Sequence, residues 1–219
     1  MVRAVLFDLD GTLMDSTDAI VDSWFYTFDT IGEPRPDREA IIRSIGYPLR
    51  KQFPMFTEFD VNECIRIYRA HYTEHSPPKT SLLPGAAEML SDFAAAGFRM
   101  GFVTSKKREA SEMLLAHLGV LHYMEARIGP LEVTRHKPDP EPVEKAMAQL
   151  GVGPAETVFV GDMHFDVLAG QAAGVTPVAV TTGYQSRAEL EVLGPAAVLD
   201  SLHEVRDFVL ALHGAARVG

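Results

Sequence analysis

After Pro84 the chain keeps repeating one pattern: a short apolar run, a helix-length amphipathic stretch, a glycine. Residues 99–103, 123–128, 157–160, 177–180 and 196–199 read as strands. The spacing predicts helices over 85–96, 106–118, 139–150, 164–173 and 201–212, several of them stopped by Gly97, Gly119, Gly151 or Gly174. Strands alternating with helices of this length close as right-handed crossovers, which gives a parallel sheet covered on both faces. The fold class is therefore α/β. The last six residues, 214–219, read as a frayed tail.

The first residues belong to the same sheet. Residues 2–12 read Val-Arg-Ala-Val-Leu-Phe-Asp-Leu-Asp-Gly-Thr. An apolar run climbs to Phe7 and meets two carboxylates, Asp8 and Asp10, before a turn at Gly11. Open α/β sheets bind ligands outside the carboxyl ends of their strands. Two like charges that close are costly without a cation or proton to compensate them. Taken alone, the stretch is equally a strand running into an acidic, solvated turn.

Residues 15–80 interrupt the alternation. No buried-strand run occurs there. Ser16 is placed to cap a helix through Ile20, Trp24 and Phe28, stopped by Gly32 and Pro34. Asp37 opens a second helix to Ile45, and residues 60–72 make a third, with Ile65 and Tyr68 on one face. His-Ser-Pro-Pro-Lys at 75–79 breaks it. The expected organisation is an α/β core of residues 1–14 and 81–219 with an all-helical insertion at 15–80.

The 219 residues carry a formal net charge of −10, which argues against a general nucleic-acid binder or a partner of anionic membranes. Cys64, the only cysteine, excludes an internal disulfide and reads as a small packing residue. The sequence has no signal-peptide pattern and no apolar run of membrane-spanning length, so a cytoplasmic location is expected.

Strand ends in this layout carry a non-random set of polar residues suited to one chemistry. The first gives Asp8 and Asp10, the second Thr104 and Ser105. Lys137 follows in a loop, and then come Gly161, Asp162 and Asp166. Singly, these residues are also what helix caps and exposed charges look like. Together at one sheet edge they suit phosphoryl transfer, in which catalysis is mostly positioning and charge stabilisation. Asp8 suits the carboxylate nucleophile and Asp10 the general acid and base. Thr104 and Lys137 suit the phosphoryl oxygens, with Ser105 and nearby backbone N–H groups assisting. A carboxylate attacking a dianion needs a divalent cation, and Mg²⁺ takes oxygen ligands such as Asp8, Asp162 and the Asp10 carbonyl. In His-Lys-Pro-Asp-Pro-Glu-Pro at 136–142, Pro138 keeps Lys137 out of helical geometry just before a helix. His136 reads as a loop residue, and His164 as at most a neighbour of the pocket.

Asp-Leu-Asp-Gly-Thr at 8–12, Thr104-Ser105, Lys137 before Pro-Asp-Pro, and Gly-Asp-Met-His-Phe-Asp at 161–166 resemble, in order, the four motifs of the haloacid dehalogenase superfamily. The resemblance spans nearly the whole chain. It implies a Rossmann-like parallel core, with residues 15–80 as an inserted cap domain. It also implies Asp8 as nucleophile, Asp10 as acid/base, Thr104 and Lys137 on the phosphate, and Mg²⁺ held by Asp8, Asp10 and Asp162, with Asp166 supporting the metal or Lys137. Phosphoglycolate phosphatases and the related pyrophosphatases look nearest. Ile-Gly-Tyr-Pro-Leu at 45–49 resembles their cap loop, which puts Gly46 and one of Arg43, Arg50 or Lys51 forward as contacts to the leaving group, Arg50 first. Ser105 departs from the asparagine of many phosphatases. An acid at position 10 argues against halide displacement, a chemistry whose enzymes lack one there.

The leading expectation is thus a Mg²⁺-dependent phosphatase acting on a small phosphorylated metabolite, phosphoglycolate-like, or on pyrophosphate. A phosphomutase using the same Asp8 adduct and a non-catalytic phospho-acceptor module are the alternatives. Oligomeric state is not legible.

Overall fold

The computed structural model describes residues 1–215 and divides into two compact units, Met1–Met14 with Leu82–Gly219, and Asp15–Ser81. In chain order the elements begin with β1 (Ala4–Phe7) and β2 (Met14–Asp15). There follow α1 (Thr17–Ile31), α2 (Arg38–Ser44), α3 (Leu49–Gln52) and α4 (Val61–His75), and then β3 (Ser81–Leu82). The alternating part is α5 (Ala86–Ala95), β4 (Arg99–Val103), α6 (Arg108–His117), β5 (Ala126–Ile128), α7 (Glu141–Leu150), β6 (Thr157–Gly161), α8 (His164–Ala172), β7 (Thr176–Val180), α9 (Arg187–Glu191), β8 (Ala197–Leu199) and α10 (Leu202–Ala215).

Six strands form one parallel sheet in the order β5-β4-β1-β6-β7-β8. The α/β expectation holds. β1 is central because every residue of it is buried, as a strand covered on both faces requires. Its side chains alternate between two cores. Ala4 and Leu6 join Val143, Met147 and Leu150 of α7 and Ala169 of α8, while Phe7 stacks on Phe93 of α5 with ring centroids 6.4 Å apart. The strand order reverses direction around β1, with β4 on one side and β6 on the other. That arrangement opens a crevice at the carboxyl ends of these three strands.

The Asp15–Ser81 unit is built from α1 to α4 around the buried Trp24, whose indole lies 4.3 Å from the Phe53 ring and 6.2 Å from that of Tyr68. Cys64 is fully buried there. Asp37 and Asp60 cap α2 and α4 by accepting from the N–H groups of Ala40 and Glu63. Ser16, expected to cap α1, does not do so with its side chain. Asp15 accepts from the Thr17 N–H instead, at 2.9 Å.

Two short helices, α3 and α9, went unanticipated, because four or five residues are too few to show a helical period. The expected tail is partly helical, since α10 runs through Ala215; residues 216–219 lie outside the described residues. Among the described residues no helix is long and apolar enough to cross a membrane.

Candidate active site

Strand register assembles the site. Phe7, the last residue of β1, is level with Phe102 of β4 and Val160 of β6, and those two strands run one residue further, to Val103 and Gly161, so all three end at one edge. Asp8 follows β1 and is tied to β6 through its own N–H, which donates to the Val160 carbonyl at 2.9 Å. Thr104 follows β4, its N–H on the Ile128 carbonyl of β5. Asp162 follows β6, and Asp166 sits in the first turn of α8, where its carboxylate accepts from the Met163 N–H at 3.1 Å.

Lys137 arrives from the loop between β5 and α7, across a cis Lys137–Pro138 peptide. Its ammonium donates to Asp8 Oδ1 at 2.8 Å, Asp166 Oδ1 at 2.6 Å and the Val103 carbonyl at 3.1 Å. The three donors of an ammonium are thereby used. The side chain is 7 % exposed. Burial pulls the Lys137 ammonium toward neutrality, but the flanking Asp166 and Asp8 carboxylates outweigh it and hold the lysine charged.

The carboxylates feel the same burial with the opposite sign. Burial pushes Asp8 up to about 7, with help from Asp166 and Asp10 and against the pull of Lys137. Asp162 is raised well above the ordinary range, first by burial and then by Asp166 and Asp8. Its two oxygens are nonetheless placed: Thr12 Oγ1 donates to Oδ1 at 3.1 Å and the Tyr184 N–H to Oδ2 at 3.0 Å. Space for that carboxylate comes from two glycines. A Cβ on Gly183 would lie 1.9 Å from Asp162 Oδ2, and one on Gly11, whose φ is +81°, would lie 2.6 Å from it.

Asp8, Asp162 and Asp166 offer carboxylate oxygens all within 4.8 Å of one another. Counting Asp10, four carboxylates face two ammonium groups, Lys137 and Lys106, a formal excess of two negative charges when all are ionised. A hard divalent cation with oxygen ligands fits both the charge and the donor set. The Asp10 carboxylate is outside this cluster and is paired with Lys106 Nζ at 2.9 Å; the metal contact expected of Asp10 is its backbone carbonyl.

Thr104 is buried, and its hydroxyl oxygen accepts the Lys106 N–H at 3.1 Å; a hydroxyl that accepts still has its proton to give. This bond also corrects the expected start of α6. With the Lys106 N–H taken by Thr104, and Lys107 extended at φ −55°, ψ 132°, the helix begins at Arg108 rather than Lys106. Ser105 lies in that loop, half-buried. His164 bonds Gln185 through its N–H and through Nδ1, and His136 is exposed. Gly46 and Arg50 belong to the helical unit. Gly46 occupies the turn between α2 and α3 with φ +99°, and the exposed Arg50 donates to Asn62 Oδ1 of α4 at 2.8 Å. Arg43 and Lys51 are exposed.

Sequence reasoning passed over three contributors. Lys106 had a visible signal, a lysine directly after the Thr-Ser of a strand end. The Thr-Gly-Tyr turn at 182–184 had one too, a polar cluster just past β7, where Thr182 Oγ1 donates to the Gly11 carbonyl at 2.7 Å. The third, the Tyr184 N–H on Asp162, is a backbone group and has no residue signature.

Residues 5–180 match the family described as haloacid dehalogenase-like hydrolase. A Clostridium perfringens protein, provisionally named pyrophosphatase PpaX, is 38% identical over 217 residues, covering 97% of this chain and all of that protein. Pyrophosphatase PpaX of Halalkalibacterium halodurans is 34% identical over 95% of this chain and 97% of its own length. A haloacid dehalogenase-like family hydrolase from Streptococcus pneumoniae superposes with a TM-score of 0.86 at 26% identity, covering 95% of this chain and 98% of that one. Likeness of this extent in sequence and in fold identifies the chain as an enzyme of the haloacid dehalogenase-like hydrolase family.

Proposed function

We propose that this enzyme is a Mg²⁺-dependent phosphatase that releases phosphate from pyrophosphate or a small phosphomonoester through an aspartyl phosphate on Asp8. The observation that carries this reading is Lys137, locked between Asp8 and Asp166 inside a cluster of three carboxylates, with a separately paired Asp10 two residues from Asp8.

In the first half-reaction an Asp8 oxygen bonds to phosphorus. The bond from phosphorus to the leaving oxygen breaks, and the Asp10 carboxyl gives that oxygen its proton. In the second, a water oxygen bonds to phosphorus, the Asp8–phosphorus bond breaks, and Asp10 takes the water's proton. The sum is one water consumed and one phosphate released. The Thr104 hydroxyl donates to the phosphoryl oxygens, with Ser105 beside it, and Lys137 sets a fixed positive charge next to the phosphoryl group and Asp8. Asp8 and Asp162, supported by the Asp10 carbonyl and Asp166, would hold Mg²⁺, which would supply the positive charge that a carboxylate needs to approach a phosphoryl dianion.

We assign the helical unit as a cap, with the Gly46 turn and Arg50 selecting the leaving group. The names of the two curated relatives support pyrophosphate as the first substrate to try. The test is phosphate release from pyrophosphate, phosphoglycolate, sugar phosphates and nucleoside monophosphates, with and without Mg²⁺. Mg²⁺-dependent release from one class well above the others is expected. No release from any would overturn the reading.

A further inference from the structure

We propose that Lys106 is a positioning residue for Asp10, orienting the proton-carrying carboxylate through a buried ion pair. The proposal rests on the functional reading above and adds a residue to it. Each aspartate of the Asp-Leu-Asp stretch has its own lysine. Lys137 serves Asp8, its three donors placed on Asp8, Asp166 and the Val103 carbonyl. Lys106 Nζ meets Asp10 Oδ1 at 2.9 Å, with the two side chains only 10% and 12% exposed. A pair this far out of water holds its geometry more firmly than a surface pair, because solvent neither screens it nor competes for its hydrogen bond.

Both ends of the pair are built into the backbone. Thr104 Oγ1 holds the Lys106 N–H at 3.1 Å, which anchors the lysine where β4 leaves the sheet. Asp10 stands at a tight turn closed by the Gly11 N–H on the Met14 carbonyl and the Thr12 N–H on the Leu9 carbonyl, at 2.9 and 3.2 Å. The ion pair then sets the direction of the carboxylate that this turn presents. Direction matters because a general acid acts only within hydrogen-bond reach of the leaving oxygen. A misplacement of about 1 Å costs on the order of a hundredfold in rate.

The experiment uses the full chain with Mg²⁺ and two aryl phosphates, 4-nitrophenyl phosphate and phenyl phosphate, whose leaving oxygens differ in their need for a proton. Lys106→Met is expected to lower kcat about 10- to 100-fold on phenyl phosphate and less on 4-nitrophenyl phosphate, with KM within about threefold. Lys106→Arg is expected to restore most of the rate. Added to Asp10→Asn, Lys106→Met should change kcat by less than about twofold, because the group it orients is gone. An equal loss in both backgrounds, a rise in KM at constant kcat, or no effect at all would overturn the proposal. Should Lys106→Met not melt cooperatively, Lys106→Gln takes its place in every arm. Absence of Mg²⁺-dependent turnover by the unaltered chain would overturn the functional reading itself, whereas turnover without the expected Lys106 pattern overturns this proposal alone.

Discussion

Replacing Asp8 by asparagine should abolish turnover and yet, without metal and at pH 8, make the protein more stable. Asp8 is nearly isosteric with asparagine, so the change removes a charge and little else. Burial pushes the native carboxyl from 3.8 up to about 7. Between those two pH values the native state binds more protons at Asp8 than the unfolded chain does. Stability therefore falls as pH rises through that window and is lowest above it. A gap of roughly three pH units corresponds to about 4 kcal/mol at most, which Asp8→Asn recovers above pH 7 and not below pH 4. Lys137 is not stranded by the change, because Asp166 Oδ1 stays 2.6 Å from its ammonium and the Val103 carbonyl 3.1 Å.

The assay is thermal melting in EDTA at intervals from pH 4 to pH 8. For a chain of this size a gain of that order raises Tm by about 10 °C at pH 8, shrinking toward zero at pH 4. Mg²⁺ should then stabilise the unaltered protein more than the variant, since a cation bound only by the native state adds its binding free energy to stability. A variant less stable than the unaltered protein at pH 8 in EDTA would refute the electrostatic account of the site. Retained phosphate release by the variant would refute Asp8 as nucleophile.

Gly183→Ala places a Cβ 1.9 Å from Asp162 Oδ2, so the carboxylate or the turn must shift. We expect a cost of about 1–3 kcal/mol in thermal or urea unfolding and at least tenfold more Mg²⁺ for half-maximal activity; unchanged Mg²⁺ dependence would show that Asp162 does not hold the ion. Thr12→Val removes the donor to Asp162 Oδ1 at constant shape and should cost about 1–2 kcal/mol of stability, measured in EDTA. Arg50→Ala should raise KM several-fold for an anionic substrate and leave that for a neutral aryl phosphate within about twofold. Equal effects on the two would remove Arg50 from the leaving-group side.

The sheet was legible because a strand covered on both faces has to be apolar throughout, and Val5-Leu6-Phe7 and Val158-Phe159-Val160 are. Several helix ends were legible because Gly97, Gly119, Gly151 and Gly174 carry positive φ, which other residues rarely adopt. The acidic strand ends were legible for the same reason as the strands: once the sheet is parallel, Asp8, Thr104 and Asp162 must share an edge. Pairings were not. Asp10 and Lys106 stand 96 residues apart, and nothing local to either marks the other. Only the register of β1 against β4 brings their turns together. Local competition was also hidden. Ser16 and Thr104 both precede helices, but the Thr104 hydroxyl spends itself on Lys106 before the helix begins, and Asp15 does the work assigned to Ser16.

Why such a charge-dense edge folds at all follows from how its carboxylates are answered. Lys137 and Lys106 neutralise two of the four acids directly. Asp162 is met by a hydroxyl and a backbone N–H, and Asp166 by the Met163 N–H besides Lys137. Dipolar donors place a carboxylate without cancelling its charge. Full ionisation would therefore leave an excess of negative charge on Asp8, Asp162 and Asp166, and burial and mutual repulsion make Asp8 and Asp162 reluctant to ionise. A site answered by four lysines would be more stable and would have no need of a cation. This one forgoes that stability for a cluster whose excess of two negative charges a single divalent ion would balance.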